Sequence, residues 1–125
     1  QRAAQGVAAS ASGSPEPVVV ATLDLGSDRA ALEAATATIR SACPNKAVIV
    51  LSPDQEAGRV SVMAVVPKPL IDKGLKAGDW VRTVAGVMGG KGGGRPDAAQ
   101  GSGSDVSKLR EAATEARRFA IRLVS

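Results

Sequence analysis

The chain has 125 residues, enough for one domain with a core of its own, and it is 44% hydrophobic but only 2% aromatic, so small aliphatic side chains must build the interior. With no histidine and one cysteine, Cys43, it excludes Ser-His-Asp and Cys-His nucleophiles, histidine-bearing zinc sites, multi-cysteine metal sites and an internal disulfide. A net charge of +4 favours an anionic partner, nucleic acid before membrane, and no apolar run reaches the ~18 residues of a transmembrane helix.

The opening stretch, QRAAQGVAASASGSPEP, has no apolar segment of the kind a signal peptide carries. Residues 1–17 read as a linker, with Gln1 to Ala9 as the end of an upstream helix, and the start at Gln1 reads as a fragment of a longer protein. Val18 to Leu25, β-branched and bounded by Pro17 and Gly26, predicts a buried strand. Ser27 or Asp28 caps a helix with Leu32, Ala35, Ile39 and Ala42 at helical spacing. Cys43 at its end is read as a small buried apolar residue, in keeping with a reducing compartment.

KAVIVLS and RVSVMAVVP predict two further strands, joined by the polar turn PDQEAG into an antiparallel hairpin. Next, LIDKGLKAGDWVRTVAGVM places Val81, Val84, Ala85 and Met88 on one helical face, flanked by Trp80 and Val87. Trp80 reads as core. Gly89 ends this helix. Ser104 or Asp105 caps a long amphipathic C-terminal helix striped by Val106, Leu109, Ala113, Ala116, Ala120 and Leu123, with charged residues opposite. The expected fold over residues 18–125 is therefore α/β of the α+β kind: a small mixed sheet with helices packed on it.

Between the last two helices lies GVMGGKGGGRPDAAQGSGSD, holding eight of the fourteen glycines. A flexible linker is one reading, against which stand two flanking helices that look packed. A nucleotide phosphate loop is a second, but Gly90-Lys91 is followed by Gly92 where a Walker motif needs Ser or Thr, and Arg95 interrupts any G-x-G-x-x-G pattern. A third is a bare backbone surface that approaches a polyanion, with Lys91 and Arg95 supplying charge and Pro96 fixing the chain direction.

GGKGGGRPDAAQGSGSD resembles the glycine-rich signature of the C-terminal domain of alanyl-tRNA synthetases, with an aspartate and an alanine-rich helix after it. KAVIVLS and GRVSVMAVVPKPLIDKGLKAGDWV follow that family's order, so the resemblance covers roughly Val18 to Ser125. It departs at Ala98, where methionine is common, and in the thin GSGS after Gln100.

The resemblance implies a non-catalytic tRNA-binding module that grips the outer corner of the tRNA and helps one tRNA serve both charging and editing. It implies a cytoplasmic ligase for tRNA-Ala as parent, or an organellar one whose transit peptide lay upstream. ATP, magnesium and zinc belong to that parent, and this fragment needs no cofactor. The same fold family accompanies DHH phosphoesterases, whose loop ends GGGH; Arg95 stands in place of that histidine. The residues expected to contact RNA are Gly90, Lys91, Gly92, Gly93, Gly94, Arg95 and Gln100, with Lys73, Lys76 and Arg82 extending the basic patch. Asp97 is expected to pair with Arg95. DNA binding, self-association through the upstream helix or another protein interaction is the alternative.

Overall fold

The computed structural model describes residues 18–23, 28–42 and 45–124. The N-terminal linker, Ser27 as a cap and the reading of Cys43 fall outside the described residues. The elements are β1 (Val18–Thr22), α1 (Arg29–Ala42), β2 (Ala47–Asp54), β3 (Arg59–Val65), α2 (Lys68–Asp72), α3 (Ala77–Val87), β4 (Lys91–Gly94), β5 (Ala98–Gly103), a 3-10 turn (Val106–Lys108) and α4 (Leu109–Val124). They form a five-stranded sheet in the order β1-β2-β3-β5-β4. β1 runs parallel to β2, with α1 as the crossover that a parallel pair requires, and every other pairing is antiparallel.

The β2 run is buried on both faces because its alternating residues serve two cores. Ala47, Ile49 and Leu51 point to the side of α3 and α4, while Val48 and Val50 meet Leu32, Ala35 and Ile39 of α1. Asp28 caps α1, its Oδ1 accepting from the Ala31 amide at 3.0 Å, but Ala42 at the far end is exposed. The β2–β3 hairpin forms as expected, but β2 runs on through Pro53 and Asp54, which the sequence places in the turn, and Asp54 pairs with Arg59.

Three expectations are corrected. The segment from Leu70 to Met88 is two helices, because Gly74 at φ 108° turns the chain between α2 and α3. The glycine-rich stretch is a β-hairpin, β4 and β5, that completes the sheet. The buried row of α4 is Ala112, Ala116, Ala120 and Val124, while Ala113 and Leu123 are only half-buried. Its contact follows a slanting i+4 ridge.

Trp80 is fully buried between α3 and α4, and its indole Nε1 donates to the Ala116 carbonyl at 2.7 Å. Asp105 Oδ1 accepts from the Ser107 amide at 3.0 Å and so opens the turn into α4. Asp105→Ala is expected to cost about 1 kcal/mol of stability, read as a lowered denaturant midpoint with an unchanged slope.

Candidate nucleic-acid interface

The hairpin places the candidate residues at one edge of the sheet. Lys91 pairs with Ser102, Gly92 with Gly101, Gly93 with Gln100 and Gly94 with Ala99. Directly opposite residues share a face, so Lys91, Gly93, Gln100 and Ser102 lie on one side of the hairpin and Gly92 and Gly101 on the other. The second side packs on α3, where Val81 is fully buried. On the first side β3 continues the same rows: Ser61 pairs with Ser102 and Met63 with Gln100. α1 covers that side of the sheet over β2 and reaches β3, where Met63 and Val65 pack against its cluster, so the face that β3, β5 and β4 leave open is bordered by Leu32 and Glu33 of α1.

The tip of the hairpin is held from two directions. The Arg95 amide donates to the Ala98 carbonyl at 3.0 Å, which closes the turn. The Pro96 carbonyl accepts from the Ala77 amide at 2.8 Å, tying the tip to the first turn of α3. The Asp97 carbonyl accepts from the Val66 amide at 2.9 Å, tying it to the end of β3. Arg95 Nε lies 3.5 Å from Asp97 Oδ1, the internal pair expected from the sequence. Both side chains are largely exposed (78% and 61%), so the pair orients the guanidinium more than it stabilises the fold.

The glycines divide into two kinds. A Cβ on Gly92 would lie 2.5 Å from Val81 Cγ1, and one on Gly94 2.9 Å from Ala99 Cα. One on Gly90 would collide with the Ser102 carbonyl. At these three positions the packing of the domain itself demands glycine. Gly93 differs, since nothing lies within 4 Å of where its Cβ would stand. Its bare backbone opens to solvent between exposed Lys91 and exposed Arg95.

The remaining candidates spread apart. Gln100 is exposed in the middle of the open face. Lys76, also exposed, precedes Ala77 and so sits beside the hairpin tip. Arg82 pairs with Asp79 at 3.3 Å on the outer surface of α3. Lys73 Nζ donates to the Val124 carbonyl at 3.3 Å, which commits it to the C-terminal end of α4. Ser61, Met63 and Ser102 belong to the open face without having been singled out. The signal was available for two of them, because RVSVMAV alternates and leaves Arg59, Ser61 and Met63 on the side away from Val60 and Val62.

Among the described residues, no three His, Cys, Asp or Glu side chains come together as a metal-binding group. No helix among them is long and apolar enough to cross a membrane.

Residues 16–122 match the DHHA1 domain family. The cytoplasmic alanine–tRNA ligase of Drosophila melanogaster is 40% identical over 103 residues, 82% of this chain and 11% of that protein. That of Bombyx mori is 37% identical over 102 residues, 82% of this chain and 10% of that protein. The alanine–tRNA ligase of Synechococcus elongatus is 42% identical over 95 residues, 76% of this chain and 11% of that protein. The chain thus spans about a tenth of the length of these relatives. Among solved structures, the C-Ala domain of Aquifex aeolicus alanyl-tRNA synthetase superposes with a TM-score of 0.70 at 24% identity, covering 82% of this chain and 89% of that one. RecJ of Thermus thermophilus superposes with a TM-score of 0.60 at 15% identity, covering 98% of this chain and 18% of that one. By its sequence match the chain belongs to the DHHA1 domain family, with alanine–tRNA ligases as its sequence relatives and the C-Ala domain as its fold.

Proposed function

We propose that the chain is the tRNA-binding C-terminal domain of an alanine–tRNA ligase, and that it holds the outer corner of tRNA so that one tRNA can reach both the charging and the editing site. The observation that carries this is Gly93, whose side-chain space the fold leaves empty between Lys91 and Arg95. There a phosphate or sugar can meet backbone amides with a cation on either side. The domain has no exposed large hydrophobic residue among those described, so single-stranded bases have no ring to stack on. Backbone and shape recognition of folded RNA needs none.

On this reading ATP, magnesium and zinc serve other domains of the ligase. A cytoplasmic location follows the insect relatives, whose names carry that word. Arg95 in place of a loop histidine separates the chain from phosphoester chemistry.

The test is a salt titration of binding by fluorescence anisotropy, using tRNA-Ala, a second tRNA and a DNA duplex. Both tRNAs are expected to bind alike and the duplex more weakly, because the shared corner carries no alanine identity. Lys91→Ala with Arg95→Ala is expected to weaken tRNA binding and to flatten the log-log salt slope by about 2, the loss of two phosphate contacts. An unchanged slope would remove these residues from the site. Equal or tighter binding to DNA would point to a different ligand.

A further inference from the structure

We infer that the nucleic acid lies along the face of β3, β5 and β4 beside α1, from Arg95 at the hairpin tip to Arg59 at the start of β3, with Arg59 as a second phosphate anchor. The inference rests on the reading above and extends it to residues outside the glycine motif.

Two shallow depressions, of about 290 and 360 Å³, lie on this face and share Met63 and Gln100 as their common wall. Gly93, Arg95 and, from α1, Glu33 border the larger one; Arg59, Ser61, Ser102 and, from α1, Leu32 border the smaller. The register makes them one continuous surface: Ser61, Ser102 and Lys91 form one row across the strands, and Met63, Gln100 and Gly93 the next. Six residue steps separate Arg59 from the Val65–Ala98 row beside the tip, about 20 Å of strand. Several nucleotides of one strand fit along that length.

The chemistry of the face selects the occupant. Its ends and rim carry three cations, Arg59, Lys91 and Arg95, against two carboxylates, Glu33 on the α1 side and Asp97 beside Arg95, and its middle offers two hydroxyls and an amide able to bond to sugars and phosphates. The large apolar side chains along it, Met63, Val65 and Leu32, are half-buried or buried against α1, too little exposed for the apolar centre of a protein interface. The short hairpin side chains leave the backbone exposed at Gly93, where a rigid polyanion can settle against the sheet.

The experiment compares tRNA binding by the 125-residue chain with that of three variants across a salt series. Arg59→Gln removes the exposed anchor, Ser102→Glu sets a carboxylate in the middle row, and Arg122→Gln removes a cation from α4. Arg59→Gln is expected to weaken binding several-fold and to lower the salt slope by about 1. Ser102→Glu is expected to weaken it by about tenfold or more, and Arg122→Gln to leave it unchanged. All three side chains are exposed, so unchanged melting temperatures are expected and check the fold. If Arg59→Gln and Ser102→Glu bind like the parent while the Lys91 and Arg95 double variant fails, the ligand is confined to the hairpin rim. The inference then falls and the proposed function stands. If Arg122→Gln weakens binding as much as Arg59→Gln, the attraction is diffuse and the inference falls too. A parent chain that binds no tRNA overturns both.

Discussion

A single methyl group at Gly101 is expected to destabilise the domain by about 1–3 kcal/mol, while the same methyl group at Gly93 costs nothing. The two residues stand close together on β5 and β4, yet on opposite faces of the hairpin. A Cβ at Gly101 would lie 2.7 Å from Gly92 Cα, 2.7 Å from the Lys91 carbonyl oxygen and 2.8 Å from Val81 Cγ1. Two of those three neighbours are backbone and cannot rotate away. Val81 of α3 sits over a rung of the sheet that has no side chains, so relief requires moving the helix or splitting the hairpin. Melting temperature should fall by roughly 5–15 °C in Gly101→Ala. In Gly93→Ala it should stay level or rise slightly, because the unfolded chain loses freedom and the folded one meets no clash. Thermal melts of the two variants decide it. If Gly101→Ala melts with the parent, packing does not require that glycine. Gly93→Val extends the comparison to function: it should keep the fold and lose tRNA binding if the ligand approaches the backbone there.

The second large effect belongs to Trp80. Trp80→Ala is expected to cost about 3–5 kcal/mol, a large share of the stability of a domain this size. The side chain is fully buried, and its indole N–H links α3 to the Ala116 carbonyl of α4. On the α4 side its core neighbours are small: Ala112, Ala116 and Ala120 form the facing ridge. Such a ridge cannot extend into the cavity that truncation leaves. Trp80→Phe keeps much of the volume and loses the hydrogen bond, so an intermediate loss of about 1–2 kcal/mol is expected. Denaturant unfolding followed by circular dichroism measures both without relying on the tryptophan signal. A Trp80→Ala chain that unfolds at the parent's midpoint would show that α4 is not held through this contact. With Trp80 committed to the core, it is not available to stack on bases.

Several features were legible because their signals are local. The caps at Asp28 and Asp105 are set by side chains that reach amides two or three residues on. The β2–β3 hairpin follows from two apolar runs around a short polar turn. Val81, Val84, Ala85 and Met88 are all fully buried, as their helical spacing requires. The row on α4 was misplaced by one residue at Ala113, since spacing marks an apolar side of a helix but not the line along which a neighbour touches it. The sequence places Lys73 with Lys76 and Arg82 on one helix leading into the glycine-rich stretch. The chain reverses at Gly74, and its amine finds the end of α4 instead.

By itself the sequence determined the α+β class, the motif that marks the family, and the absence of histidine and thiol-cluster chemistry. Each of these resides in residue identity or in short-range spacing. The role of the glycines was decided only by the tertiary structure. A strand is normally recognised by side chains that alternate between core and solvent, and KGGG has almost none to alternate, so β4 carries no strand signal of its own. Its pairing depends on β5, and its face on where α3 lies, both nonlocal facts. Adjacent glycines that are chemically identical in the sequence therefore separate in the folded domain: Gly92 lets a helix settle onto the sheet, and Gly93 leaves the opposite face open.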